Sequence, residues 1–210
     1  MRSDLADVTV VVDRSGSMQA CQQEAENGVN HFIDEQRKQP GDCLFSLVQF
    51  DTEYEFVHKG KPIADVGQFT LVPRGMTALL DAVGRAINET GERLSAMNEN
   101  DRPGLVAFVI VTDGQENSSH EFKRAQIKEM IERQQSQYQW KFTFLGANQD
   151  AFAEAAGLGI AASASASYGV ASSKQAFAAA ASNVNRMRSA TVRGQSVSCT
   201  YTPDERKAMK

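Results

Sequence analysis

Hydrophobic residues fall along this chain in short, nearly continuous runs separated by longer amphipathic stretches. The first run covers residues 8–12, is rich in valine and ends at Asp13. A β-branched run without polar alternation predicts a strand buried on both faces, as in a parallel sheet. Residues 21–36 follow with Val29, Phe32 and Ile33 at helical spacing, and Pro40-Gly41 stops that helix. Strands are predicted at 43–50 and 54–58. The turn at Asp51-Thr52 is too short for a crossover, so this pair is an antiparallel hairpin with its second strand at a sheet edge.

A Gly- and Pro-bearing loop spans 59–76, and Thr77 stands at an N-cap position before a helix over 78–97. After a polar loop at 98–104, residues 105–111 form the most hydrophobic stretch and predict a central strand ending at Thr112-Asp113-Gly114. A helix over 121–137, capped by Ser118 or Ser119, leads to a strand at 141–145 closed by Gly146-Ala147-Asn148. The pattern then weakens. It predicts a short helix at 150–156, an Ala/Ser-rich edge strand within 161–168, and a helix over 173–188 with Phe177, Val184 and Met187 inward. Thr202-Pro203-Asp204-Glu205 has the cap, first-turn proline and acidic residues of one more short helix. The expected fold is α/β: a doubly wound, mostly parallel central sheet with one antiparallel edge strand and helices on both faces. One domain over 1–194 is expected, with 195–210 a tail or short helix.

Composition narrows the function. The 210 residues are 41% hydrophobic, enough for a core, and the net charge of −4 comes without a basic stripe. A short basic cluster at 206–210 is the only concentration of positive charge. Nucleic acid is therefore excluded as the main partner, because phosphate binding needs clustered Lys and Arg. No apolar run approaches the length of a membrane span, and residues 1–7 carry no hydrophobic leader. Cys21, Cys43 and Cys199 are scattered and lack metal-site spacing. They read as small apolar residues, and an odd, sparse set fits a cytoplasmic protein.

The chemistry lies at the strand ends. Asp13 and Asp113 follow the two most hydrophobic strands. If those strands are neighbours where the strand order reverses, both carboxylates face one crevice, the usual ligand position of such sheets. Ser15 and Ser17 flank Gly16 just beyond Asp13, and Thr77 offers a third hydroxyl. Two carboxylates and three hydroxyls are hard oxygen donors, suited to magnesium, calcium or manganese rather than zinc or copper. Magnesium, with near-octahedral bonds of about 2.0–2.1 Å and retained waters, fits best. Neutral hydroxyls leave much of the ion's charge uncancelled, so it would accept an outside carboxylate.

These residues resemble the metal-ion-dependent adhesion site of von Willebrand factor A domains. Asp13-Arg14-Ser15-Gly16-Ser17 matches the D-x-S-x-S motif. Gly75-Met76-Thr77-Ala78-Leu79 looks like the family's G-x-T-x-L loop, and Thr112-Asp113-Gly114 like its T-D-G loop. The resemblance covers roughly residues 7–147 well and the rest loosely. It implies Ser15, Ser17 and Thr77 as direct metal ligands, with Asp13 and Asp113 balancing charge mainly through water. A protein partner would supply an Asp or Glu to the remaining position. It further implies a lone-domain intracellular protein of bacterial or phage type, working beside an ATPase- or kinase-associated complex.

Other residues read more plainly. Asp81 reads as either a brace for the metal loop or a solvent-facing helix residue. Gln115, Glu116 and Asn117 read as solvated loop, and Asp51, Glu53 and Glu55 as a solvated hairpin face. A metal-dependent hydrolase or phosphotransferase is the alternative, since a magnesium ion at a switch point can activate water. The chain has no G-x-x-x-x-G-K-[ST] loop, no D-x-D and no G-x-S-x-G elbow, and His31, His58 and His120 lie on separate elements. The expectation is therefore a binding module without catalysis.

Overall fold

A computed structural model describes residues 1–147 and 150–209. The expected Asn148 closure and the end of the basic cluster at Lys210 lie outside the described residues. Six strands form one sheet: β1 (Arg2–Asp13), β2 (Asp42–Phe50), β3 (Tyr54–Pro62), β4 (Pro103–Thr112), β5 (Lys141–Ala147) and β6 (Ser165–Tyr168). Their spatial order is β3-β2-β1-β4-β5-β6. All neighbours are parallel except β2 and β3, which form the antiparallel edge pair. The chain moves one way from β1 to β2 and β3, and the other way from β4 to β6. The order therefore reverses between β1 and β4, where Val12 pairs with Val111.

The described residues include six α-helices: α1 (Gln22–Arg37), α2 (Leu79–Ser95), α3 (Arg124–Gln137), α4 (Ala151–Gly157), α5 (Ser173–Val192) and α6 (Pro203–Ala208). The alternating residues of β1 explain the two layers. Val8, Val10 and Val12 enter one core with Val29, Phe32 and Ile33 of α1 and Phe177, Val184 and Met187 of α5. Val11 enters the other, with Val83 and Ile87 of α2 and Ile127 and Ile131 of α3. Between α1 and α5 the approach is close: a Cβ at Gly28 would lie 2.1 Å from the Phe177 ring. Trp140 stacks on Phe108 with ring centroids 5.6 Å apart, so its role is packing.

Several elements differ from the pattern-based expectation. β1 begins at Arg2 instead of residue 8. Its polar N-terminal half stays in the sheet because Asp7 is fully buried against the Arg93 guanidinium. β3 runs on to Pro62, with register shifts against β2 that let Lys59, Gly60 and Lys61 continue the edge; lysines and irregularities commonly protect such edges. Ser118 and Ser119 do not cap α3. That helix starts at Arg124, with the Gln126 side chain accepting from the Lys123 N–H at 2.8 Å. At the C-terminal end, Thr202 Oγ1 accepts from the Glu205 N–H and Glu205 accepts from the Thr202 N–H, a reciprocal cap. Tyr201 and Met209 are buried in the α1/α5 core. Among the described residues no helix is long and apolar enough to cross a membrane.

Candidate metal site at the strand-order reversal

Asp13 is the last residue of β1 and is fully buried. Its Oδ1 accepts from the Ser15 N–H at 2.7 Å, which folds the loop back over the strand end. Its Oδ2 accepts from the Thr112 hydroxyl at 2.6 Å, joining the end of β1 to the end of β4. Ser15 Oγ and Ser17 Oγ lie 3.0 Å apart, and the Ser17 hydroxyl donates to Asp113 Oδ1 at 2.7 Å. Burial pushes the Asp13 carboxyl up to about 6; the Thr112 and Ser15 bonds pull against that, and the charge of Asp113 adds to the rise. Burial raises Asp113 too, opposed by the Ser17 hydroxyl.

Thr77 arrives on a different loop, held by several bonds. Its N–H donates to the Asn117 side-chain oxygen at 2.9 Å, and its carbonyl accepts from the N–H groups of Asn117 and Ser118. The N-cap role expected of Thr77 is not found: α2 starts at Leu79, and no side chain of the preceding residue caps it. Glu116 reaches across instead. Its Oε2 accepts from the Leu80 N–H at 3.0 Å, satisfying one of the unpaired donors of the first helical turn.

The loops meet at Gly114. A Cβ built there would lie 2.9 Å from Thr77 Oγ1, 3.5 Å from Ser17 Oγ and 3.6 Å from Asp13 Oδ2. A methyl group there would meet oxygens from two other stretches of chain, the Asp13–Ser17 loop and the Thr77 loop. All five residues singled out from sequence are thus gathered at one end of the sheet. The donor chemistry fits a hard divalent cation: the three atoms nearest that position are all oxygens, and two of the five residues are carboxylates. Among the described residues no group of three or more His, Cys, Asp or Glu side chains could hold a metal ion, so a site here would depend on the hydroxyls as well as the two carboxylates.

The structure corrects several secondary assignments. Glu116 and Asn117 are braces rather than solvated loop; besides Leu80, Glu116 also accepts from the N–H groups of Ser118 and Ser119. Asp81 acts as a brace rather than a solvent-facing residue, on the far part of the loop that begins at Asp113. Its carboxylate accepts from the N–H groups of His120, Glu121 and Phe122. Asp51 is buried, not part of a solvated face, because Arg14 and Arg74 both donate to its Oδ2, at 3.0 and 2.7 Å. Thr112 entered the sequence reading only as part of the T-D-G match, without the bond it makes to Asp13 Oδ2. Its position one residue before Asp113, ending a strand beside Asp13, was the available signal.

Fold and site together define a doubly wound α/β domain with an oxygen-lined crevice at the reversal of strand order. The chain belongs to the von Willebrand factor type A domain family, which matches residues 7–186. Domains of this family generally mediate protein–protein interaction, often with a metal ion. No curated protein matches the chain. Solved structures share the fold at low identity. The von Willebrand factor domain of the type V pili tip protein Mfa5 from Porphyromonas gingivalis is 12% identical, with a TM-score of 0.62 over 86% of this chain and 95% of that one. Proximal thread matrix protein 1 from the mussel byssus is 17% identical, with a TM-score of 0.60 over 89% of this chain. The present chain spans only 46% of that mussel protein. Manganese-loaded TRAP protein of Plasmodium vivax is 14% identical, with a TM-score of 0.57 over 83% of this chain and 72% of that one.

Proposed function

We propose that this protein is a divalent-cation-dependent interaction module that ligates an acidic side chain of a protein partner. Ser15, Ser17 and Thr77 would hold the ion directly, and Asp13 and Asp113 would balance its charge, mainly through water. Magnesium is the favoured ion, with calcium and manganese as alternatives; the manganese carried by the Plasmodium TRAP structure supports a divalent ion in this fold. The observation that carries the reading is the space beside Gly114, bounded by Thr77 Oγ1, Ser17 Oγ and Asp13 Oδ2. When bound, the ion supplies a positive charge with an open coordination position. The chain orients the donors and keeps most of the charge uncancelled by using neutral hydroxyls.

We place the binding unit at residues 1–194 and assign it to a cytoplasmic bacterial or phage setting, beside an ATPase- or kinase-associated complex. Three unpaired cysteines support the reducing compartment. We propose no catalytic role; turnover by a metal-dependent hydrolase or phosphotransferase that disappeared in Asp13→Ala would reverse that assignment. Calorimetry tests the central reading. Magnesium should bind the wild type with one-to-one stoichiometry and fail to bind Asp13→Ala or Thr77→Ala, while circular dichroism shows both variants folded. Absence of any divalent-ion uptake by the folded wild type would refute it.

A further inference from the structure

Two large apolar side chains stand exposed on the loop that carries Thr77: Val72 is 62% exposed and Met76 51%. The backbone beneath them is pinned. The Gln22 side chain donates to the Leu71 carbonyl, Glu26 accepts from the Leu71 N–H, and the Arg74 N–H donates to the Arg14 carbonyl. The Gly16 N–H donates to the Gly75 carbonyl at 3.2 Å, which sets Met76 beside the Asp13–Ser17 loop. Such side chains are displayed in place, so contact with them costs little additional ordering of the backbone. Charge on this flank is already matched, because Arg74 pairs with Asp51 and Glu53. The loop after β4 differs: its exposed residues next to the site are Gln115 and Asn117, both polar. The crevice therefore has exposed Met76 beside it on one loop, with exposed Val72 four residues earlier on that loop, and polar residues on the other.

Resting on the metal reading above, we infer that Val72 and Met76 determine partner specificity. The partner is a protein segment in which the acidic residue has a large aliphatic or aromatic neighbour within two positions. The carboxylate is drawn by the cation, and the neighbour covers Val72 and Met76 and removes them from water. Exposed apolar surface rimmed by polar residues marks interaction sites, and methionine is enriched in interface cores. A second acid in place of the apolar neighbour gains little on this flank, since Arg74 is already paired with Asp51 and Glu53.

The test is selection of a random twelve-residue peptide library, displayed on phage, against the wild type in magnesium with elution by chelator. The eluted peptides should carry an acid within two positions of a large apolar residue. A synthetic peptide of the selected sequence should then bind the Val72→Ser/Met76→Ser double variant about tenfold more weakly. That variant should retain wild-type magnesium affinity by calorimetry and wild-type melting temperature. Selected acids without apolar neighbours, no chelator-eluted peptides, or equal binding by the double variant would overturn the inference while leaving metal binding intact. A wild type that takes up no magnesium would instead remove the metal reading on which it stands.

Discussion

Asp7 and Asp13 are both fully buried on β1, one toward the middle of the sheet and one at its C-terminal edge. Asp7 receives two hydrogen bonds from the Arg93 guanidinium, at 2.7 and 3.0 Å. Asp13 receives a backbone N–H and a threonine hydroxyl. Among the described residues no Lys, Arg or His forms an ion pair with Asp13 or Asp113. Burial raises both the Asp7 and Asp13 carboxyls, but at Asp7 the guanidinium pulls back. An isolated buried charge costs several kcal/mol, so it needs a counter-ion or a proton. The chain supplies the counter-ion at Asp7 from its own α2. At the crevice it places a second carboxylate nearby, with only the Ser15 N–H and the Thr112 hydroxyl on Asp13. Under the function proposed above, Asp7 builds the sheet and Asp13 would draw its counter-charge from a bound cation.

Swapping each carboxylate for its amide gives the largest expected effects, and they run in opposite directions. Asp7→Asn leaves the half-buried Arg93 without its anion and should lower folding stability by about 3 kcal/mol, measured by urea denaturation. Asp13→Asn removes an unpaired buried charge, so its metal-free melting temperature should equal or exceed that of the wild type. Magnesium at about 100 times its Kd should add roughly 2.7 kcal/mol to the wild type and nothing to Asp13→Asn. Equal destabilisation by both amides in chelator would break the contrast, because Asp13 would then be as structural as Asp7.

Gly114→Ala sharpens the same contrast from the side of the empty volume. The added methyl would crowd Thr77 Oγ1 at 2.9 Å and touch Ser17 Oγ and Asp13 Oδ2 at 3.5 and 3.6 Å. Overpacking a fitted space typically costs about 1–3 kcal/mol. Here the cost should fall on metal uptake, weakening it roughly 10- to 100-fold by calorimetry, with little change in the metal-free melting temperature. A variant that bound magnesium like the wild type would show that the ion does not use this space.

The same two ends of β1 show what sequence can convey. Residues 8–12 and 105–111 were readable as strands because burial on both faces leaves an uninterrupted apolar run, and the polar residues that end such runs stand out. The five candidate donors were picked out from that and from their motif order, and they lie together at one end of the sheet. The N-terminal half of β1 was not readable, since Asp7 becomes a strand residue only through Arg93, which lies on α2 far along the chain. Glu116 and Asn117 were hidden for a related reason. Each satisfies backbone N–H groups of a loop or helix start distant in sequence, and such contacts leave no period. Asp51 looked like hairpin surface because nothing local announces that Arg14 and Arg74 converge on it.

Thr112 gives the smallest effect and the finest test of how Asp13 is aimed. Its hydroxyl carries one hydrogen and lies 2.6 Å from Asp13 Oδ2 and 3.1 Å from the Gly114 carbonyl. The shorter, charge-assisted bond to the carboxylate is the stronger of the two. The Gly114 N–H donates to the same oxygen at 3.2 Å, so Thr112 ties the Asp13 carboxylate to the turn that borders the metal space. Thr112→Val keeps the shape and removes this tie. Loss of an outer partner of a ligand typically weakens metal binding by about 10- to 100-fold, and the Ser15 N–H still holds Oδ1, so about tenfold is expected. Thr112→Ser should restore the affinity, which separates lost orientation from lost packing. Unchanged magnesium affinity in Thr112→Val, read by calorimetry, would mean that the Ser15 N–H alone sets the carboxylate.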